Sequence, residues 1–477
     1  MAKQTNMDMV NGPLTGKIIR FAVPLMLSGM LQLLYNAADV IVVGKFSGAA
    51  SLAAVGSTGA LVNLLINLFI GVSVGCNVLV ARYYGARNEK AVSETVHCAM
   101  GASLLIGLAA GVIGLIFSTP LLRLMDSPED VLPLASLYLK IYFCGMPFNI
   151  GYNFGAAVLR AVGDTKRPLY ILSAAGLVNV VLNLVTVIVF KMDVAGVALA
   201  TITSQLISFV LVVLCLTRRL DCCRLVLREI RLYKDKLLEM VRIGLPAGLQ
   251  GTLFSLSNVI IQSSVNSFGS TVMAGNSAAA NVEGFVYVAM NAVYQATITF
   301  VSQNLGAGKP SRIRRIMAIC LVLVSVVGLV LGLTAYFCGH TLLGIYASDS
   351  EGLREQIIAV GKTRMRFLCA PYFLCGLMEV ACGGLRGLGK SWLPTTIALL
   401  GSCVMRIIWI QTVFRAERTL ESVYISYPIS WLLTFAAHLI FFVMAFRKIQ
   451  KLLPPEPEEF TEDWMITFDR ENSVPCR

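Results

Sequence analysis

Charged side chains are scarce in this chain. They make up 14% of its 477 residues, against 56% hydrophobic, and the mean hydropathy is +0.74. An ordinary soluble domain, in which about 25% of residues are charged, is therefore excluded. Histidine is rarer still: His97, His340 and His438 fall near predicted helix ends or alone in apolar sequence, without partners for a metal site. No grouping of Ser, His and Asp suggests hydrolysis, so no enzymatic activity is expected. The thirteen cysteines follow no metal-ligand spacing, and most lie within apolar segments. They read as reduced and structural, including the adjacent Cys222 and Cys223 of a predicted cytoplasmic loop. Alternating strand-length segments of the outer-membrane barrel type are missing too. No cleavable leader is expected, because the first apolar run is too long and lacks a small-residue cleavage pattern.

What the chain has instead is a series of apolar segments of spanning length, roughly 20 residues each. They fall at about 17–44, 51–80, 95–118, 134–157, 168–190, 194–217, 240–266, 272–303, 316–338, 358–383, 393–414 and 423–446. The expected fold is an all-α polytopic membrane protein with twelve transmembrane helices. A net charge of +12 raises the question of nucleic acid, but the basic residues gather in loops. Arg82, Arg87 and Lys90 follow segment 2, Arg160, Lys166 and Arg167 follow segment 4, and Arg218 to Arg242 follows segment 6. Lys309, Arg312, Arg314 and Arg315 follow segment 8, and Arg386 and Lys390 follow segment 10. By the positive-inside rule these loops and both termini face the cytoplasm, which implies a multi-pass protein of the cell's inner (plasma) membrane and no nucleic-acid partner. The loops after segments 9 and 11, with Arg354, Lys362, Arg364, Arg415 and Arg418, weaken the contrast.

The chain also repeats itself. "FAVPLMLSG" at Phe21 matches "IGLPAGLQG" at Ile243, pairing Pro24 with Pro246 and Asn36 with Asn258. "RYYGARNEK" at Arg82 answers "QNLGAGKPS" at Gln303, and "LRAVGDTKRP" at Leu159 answers "LRGLGKSWLP" at Leu385. The spacing stays within 221 to 226 residues over these anchors. Six helices per copy make both copies enter the bilayer from the same side, giving two pseudo-symmetric six-helix bundles. The expected division is a first lobe over 1–217, a basic cytoplasmic linker over 218–239, a second lobe over 240–450 and an acidic, Pro-rich, disordered tail over 451–477. The linker reads as an amphipathic helix on anionic lipid. Duplicated bundles of this kind place substrate between the repeats and alternate its access, which suggests a carrier.

An acid in the middle of a membrane helix is disfavoured by about 2.5 to 3.5 kcal/mol, so it marks a functional site by default. Asp39 is such a residue. Gln32, Tyr35, Asn36 and Asp39 share one helical face as a polar stripe; the bland alternative is a stripe that packs against another helix. The mate of Asp39 in the second copy is Ile261, so the symmetry breaks at the acid. In segment 5, Asn179 and Asn183 lie one turn apart, and with Asn36 they are expected to complete an oxygen cage around Asp39, or else to form a helix-packing amide pair. In the second copy, Glu283 and Arg406 lie at comparable depth, roughly 16 and 12 Å from the outer helix ends at about 1.5 Å per residue, and are expected to pair. Glu379 is placed near the cytoplasmic end, where it snorkels. Tyr287, Met290, Asn291, Tyr294 and Gln295 of segment 8, with Asn258, are expected on the cavity wall; Met and aromatic residues at this spacing also suit ordinary packing.

The motifs "NAADVIVVGKFSG", "ARYYGARN", "LRAVGDTKRP", "NVVLNLVTVIVFKMDVAGVALATITSQ" and "LRGLGKS", in this order on a duplicated twelve-helix chain, resemble those of the multidrug and toxic compound extrusion (MATE) transporters, bacterial type. The resemblance covers all twelve segments. It implies cation-coupled antiport, with H⁺ or Na⁺ as coupling ion and no cofactor, exporting amphipathic, often cationic, drugs or metabolites. Asp39 matches the aspartate that many members carry in the first helix. Asn183 stands where many relatives have aspartate, and the carboxylate that some branches place in segment 7 is replaced by Ser255, Ser257 and Asn258. An amide cannot carry a proton near neutral pH, although its carbonyl can ligate sodium.

"GLRGLGKS", Gly384 to Ser391, fits the P-loop pattern letter for letter, but a membrane helix precedes it and Pro394 opens another, where a P-loop needs a strand before it. Transport must therefore draw on an ion gradient. The chain is expected to act as a monomer in the bilayer on small organic cations. The alternative is a flippase of a lipid-linked saccharide, which needs basic cavity groups for a pyrophosphate; Arg406 alone offers one in mid-membrane.

Overall fold

In the computed structural model, residues 7–47, 49–124, 128–129, 131–346 and 353–452 are described. The predicted tail lies outside them apart from its first two residues. The first half comprises α1 (Leu14–Phe46), α2 (Ala49–Gly85), α3 (Glu89–Leu124), α4 (Leu132–Cys144), α5 (Met146–Ala161), α6 (Lys166–Leu184), which runs on as a π-helical turn over Val185–Val189, and α7 (Asp193–Thr217). The second half comprises α8 (Lys234–Asn266), α9 (Ser270–Gly306), α10 (Pro310–Phe337), α11 (Gly339–Gly344), α12 (Leu353–Leu368), α13 (Phe373–Gly387), α14 (Trp392–Ala398), a π turn over Leu399–Val404, α15 (Met405–Gln411), α16 (Val413–Ala416), α17 (Leu420–Tyr424) and α18 (Ser426–Gln450).

Each of the twelve predicted segments falls on one helical path. Among the described residues nine helices are long and apolar enough to span a bilayer, and the α12–α13 pair, bent by 46°, makes a tenth. The other two paths are α4 and α5, which meet end to end at Gly145, and the 33-residue α8, whose first turns carry Lys234, Asp235, Lys236, Glu239 and Arg242. In lipid every backbone group must be paired within the segment, which is why helices recur and why the breaks sit where protein covers them.

The predicted amphipathic linker helix does not form. Residues 218–233 contain one short 3₁₀ turn, Leu227–Glu229, and are stapled to α3 instead. The Val226 N–H donates to His97 Nε2 at 3.0 Å, while His97 Nδ1, 2.7 Å from the Ser93 carbonyl, serves as the donor there. Cys98 Sγ donates to the Tyr233 carbonyl at 3.5 Å, and Arg219 pairs with Asp221 at 2.5 Å. Backbone groups satisfied by α3 and by side chains leave no need for a helix of the linker's own.

Two apolar cores organise the molecule, and the chain crosses between them. Leu14, Ile18 and Phe21, at the start of α1, pack into the second core, whereas Met240 and Ile243, at the start of α8, pack into the first. The same end of the bundle, which carries the basic loops, is where the halves touch most closely. At Gly71 of α2 and Gly248 of α8 the backbones approach until neither has room for a Cβ. Thr299 donates to Asn77 Oδ1 at 3.0 Å and Gln303 to the Ala161 carbonyl at 2.6 Å. Tyr83 donates to Glu239 at 3.0 Å, and Arg82 lies 3.6 Å from the same carboxylate.

Candidate functional site

Toward the opposite end the halves part. On α1, Leu34 and Ile41 are 53% and 57% exposed and face outward. At 100° per residue, Gln32 and Asn36 lie on the far side of the helix from them. In that direction Gly29 is filled by Val288 of α9, and Gly284 lies against Leu33, but at Asn36 and Val40 the face is open. The matching contact between α2 and α8 reaches Asn67 and Ser255, whose side chains bond at 3.4 Å; beyond it Asn258 is exposed. A cleft therefore opens between the lobes, sealed at the basic end. Gln32, Asn36, Asn258, Tyr287, Asn291 and Gln295 keep accessible surface along these interface helices, on faces that point toward the cleft.

Asp39 lies at the first-lobe side of this cleft, half-buried. Its carboxylate accepts a hydrogen bond from Asn183 Nδ2, and the same amide donates to Asn179 Oδ1 at 3.3 Å. Of the amides expected around Asp39, Asn183 thus meets it across α1 and α6, while Asn179 reaches only Asn183 on its own helix. Asn183 meets Asp39 because both helices start at the basic end and run in parallel, with the two residues near their last turns. The π turn at Val185–Val189 follows Asn183 directly and widens the helix there. Among the described residues no Lys, Arg or His pairs with Asp39, and Asn183 Oδ1 is buried without a partner. Tyr138 and Tyr142 of α4 lie within electrostatic reach of the acid in the first lobe, and Gln205 bonds to Tyr142.

The predicted cage is only partly assembled. Asn36 makes no hydrogen bond to Asp39, Asn179 or Asn183 among the described residues. It sits one turn away and faces the cleft. Asn183 turns its N–H rather than its carbonyl toward Asp39. Tyr35 leaves the stripe altogether: it donates to the Ser173 carbonyl at 3.3 Å and lies against Gly176.

In the second lobe the predicted pairing of Glu283 with Arg406 is corrected. Glu283 accepts from Arg364 through both oxygens, at 2.8 and 2.7 Å, and Arg364 also donates to Asn276 Oδ1 at 2.7 Å. Tyr424 donates to the same Asn276 oxygen at 3.1 Å. Arg364, assigned from sequence to a loop, lies inside α12 and is buried. Depth alone did not discriminate, because α12 and α15 bring arginines to similar levels and only the facing of Glu283 decides between them. Arg406 instead donates through Nε to Ser430 at 2.8 Å, its guanidinium 4.1 Å from the Tyr427 ring centre.

Other expectations for the second lobe divide. Met290 and Tyr294 are buried in its interior: Met290 packs beside Gly328 and Gly376, and Tyr294 accepts from Arg386, which also donates to Gln250 at 2.9 Å. Both are buried against the second lobe, Tyr294 although it shares the side of α9 that carries Tyr287. Glu379 does not snorkel. It is 9% exposed within α13 and has no hydrogen bond or ion pair among the described residues. The Arg364, Asn276 and Tyr424 network was not anticipated, although Arg364 falls within the predicted span 358–383 and an intramembrane arginine is itself a signal. Among the described residues no group of three or more His, Cys, Asp or Glu is placed to hold a metal ion.

Comparison with known proteins accounts for this architecture. The MatE family model matches the chain twice, over residues 24–185 and 246–410. The probable multidrug resistance protein YoeA of Bacillus subtilis (strain 168) is 30% identical over 386 residues, 80% of this chain and 82% of its own length. The multidrug export protein MepA of Staphylococcus saprophyticus is 20% identical over 388 residues, 81% of this chain and 85% of its own. A solved structure described as the outward-facing conformation of a multidrug resistance MATE family transporter of the MOP superfamily has the same fold, with a TM-score of 0.86 at 21% identity over 94% of this chain and 100% of that one. A duplicated helical membrane protein with a cleft between its halves, the chain belongs to the MatE family of multidrug efflux transporters.

Proposed function

We propose that this transporter is a proton-coupled antiporter that exports amphipathic, often cationic, small molecules by alternating access, with its basic end in the cytoplasm. The observation that carries the reading is Asp39: a half-buried carboxylate at the cleft, held by one neutral amide and, among the described residues, by no cation. An acid so placed can take up a proton from the open side and lose it when the cleft opens to the other, because no fixed positive charge holds it ionised. Sodium needs several oxygens converging on the ion. Here Asn183 offers its N–H to Asp39 and Asn36 stands apart, which favours the proton. Asp39 and its amide neighbours offer no basic group for the pyrophosphate of a lipid-linked saccharide.

The test is efflux of tetraphenylphosphonium from proteoliposomes, with H⁺ and Na⁺ gradients imposed separately. A proton gradient without sodium drives efflux under this reading. Strict dependence on sodium at constant pH overturns the proton assignment, and failure of both gradients overturns coupled export.

A further inference from the structure

Among the described residues three arginines are buried in the second lobe, and two of them are filled. Arg364 is neutralised by Glu283, and Arg386 donates to Tyr294 and Gln250. Arg406 is different. It is 5% exposed, and only its Nε is bonded, to Ser430. Its two amino groups have no acceptor among the described residues, no acid lies within ion-pair distance, and these atoms are not among the sealed polar atoms of the interior. A guanidinium in a membrane lobe without a counter-charge is costly, since charges in such surroundings are normally paired. Four N–H bonds in a planar fork are left to point at something.

The surroundings favour an oxyanion. The guanidinium lies over the Tyr427 ring, 4.1 Å from its centre, and 5.8 Å from that of Trp431, which fixes its plane without using its amino hydrogens. One turn earlier on the same path, Cys403 donates to the Leu253 carbonyl of α8 at 3.8 Å and touches Ser257. The Ser257 hydroxyl of α8 is taken up by the Cys403 thiol, so it does not compete for the guanidinium. The π turn Leu399–Val404 ends immediately before Arg406 and rotates the helix there. Arg406 is also about 15 Å from the end of its span at 1.5 Å per residue, too deep for a lipid headgroup at the surface.

The repeat adds an independent relation. Counting back 226 residues, the spacing of Leu159 from Leu385, Arg406 falls on position 180 of α6. That is the turn that carries Asn179 and Asn183 against Asp39 in the first lobe. The same place in the duplicated fold faces an acid in one lobe and presents an unfilled cation in the other.

We propose that Arg406 forms an oxyanion-recognition site in the second lobe, so that the substrates include molecules carrying a carboxylate or phosphate beside an aromatic or apolar body. The amino groups take two oxygens of the anion side by side, and Tyr427 and Trp431 border the apolar part. Export of such molecules rests on the coupled-antiport reading above; binding at Arg406 does not.

The test is equilibrium binding of benzoate, phenyl phosphate and benzyl alcohol, which share a ring and differ in charge, to the purified full chain in detergent free of anionic lipid. Benzoate or phenyl phosphate binds at least about 10-fold tighter than benzyl alcohol, the increment of one charge-assisted pair. Whichever of the two binds tighter identifies carboxylate or phosphate as the preferred group. Arg406→Gln removes the preference, and Arg406→Lys keeps part of it. Should Arg406→Gln not fold, the lysine variant still decides. Equal binding of all three ligands by the native chain overturns the proposal, as does a preference untouched by every variant. If native protein binds benzoate selectively yet exports tetraphenylphosphonium under neither gradient, the site stands and the antiport reading falls.

Discussion

Asp39 in the first lobe and Glu283 in the second are both carboxylates within membrane helices, and the protein treats them in opposite ways. Glu283 gives both oxygens to Arg364, which is itself anchored on Asn276. Asp39 has one amide donor, Asn183, and an open side toward the cleft. An acid bound by a fixed guanidinium cannot change its charge without leaving that cation unpaired, so it serves the architecture of its lobe. An acid held by a neutral amide can change charge at the cost of one hydrogen bond. A third carboxylate, Glu239, calibrates the pair. It joins the lobes at the basic end, where its side chain is 37% exposed, and solvent screens most of what it contributes.

The first way to break this comparison is to remove the guanidinium. Arg364→Leu leaves Glu283 buried and unpaired, and the expected cost is about 3–5 kcal/mol of stability. Thermal unfolding in detergent measures it. Glu283→Gln together with Arg364→Leu recovers more than half of that loss, whereas Glu283→Gln and Arg406→Gln, which do not meet, give additive effects. A stable Arg364→Leu protein would mean that Glu283 is not held by its partner, and the distinction between the lobes would go with it.

Asp39→Asn sharpens the comparison from the other side. It keeps the shape of the side chain and removes the group that carries the proton. Coupled efflux is expected to fall by about 100-fold or more, the order lost when a positioned proton-transfer group is removed, while the unfolding temperature changes little. Uphill efflux of tetraphenylphosphonium by the variant would show that the working acid lies elsewhere, and the unpaired Glu379 would be the next residue to test.

How much of this was legible in the sequence depends on the kind of signal. Twelve helical paths and their duplication were readable because apolar length and a nearly constant offset of 221 to 226 residues are properties of the chain itself. The meeting of Asp39 with Asn183 was readable because both lie near the ends of parallel helices on single polar faces. The partner of Glu283 was not, since several arginines reach the same depth and the rotation of each helix is set by packing. Tyr35 and Tyr294 show the same limit. Each sits on a polar stripe, yet each turns toward its own lobe, Tyr35 to the Ser173 carbonyl and Tyr294 to Arg386. The linker failed as a helix because His97 and Cys98 offered its backbone other partners.

A smaller effect is expected at Asn183. Asn183→Ala removes the hydrogen bond to Asp39 but not the carboxylate, and a hydrogen bond to a charged group contributes about 1.5–3 kcal/mol. Transport should therefore fall by about 10-fold at the lower end of that range, with proton-driven efflux still measurable. Complete loss would mean that the amide is needed to bind the ion itself and would revive a sodium site built from its oxygen.

The smallest effect belongs to Glu239, and its size follows from exposure. Arg82 stands 3.6 Å away with its side chain 25% exposed, and Tyr83 donates a hydrogen bond of 3.0 Å. Partly exposed ion pairs contribute about 1 kcal/mol or less, and the bonds of Gln303, Thr299 and Asn304 close the same end independently. Glu239→Gln should therefore shift the balance between cleft-open and cleft-closed forms by no more than about 5-fold, because a population ratio moves tenfold only for about 1.4 kcal/mol. Distances between spin labels placed on the exposed ends of α2 and α8 report that balance directly. Low salt should enlarge the difference between native protein and variant, since screening is what keeps the pair weak. A shift of 100-fold or more would place at the exposed basic end a coupling as strong as that assigned to the buried acids, and burial would no longer explain why the three carboxylates differ.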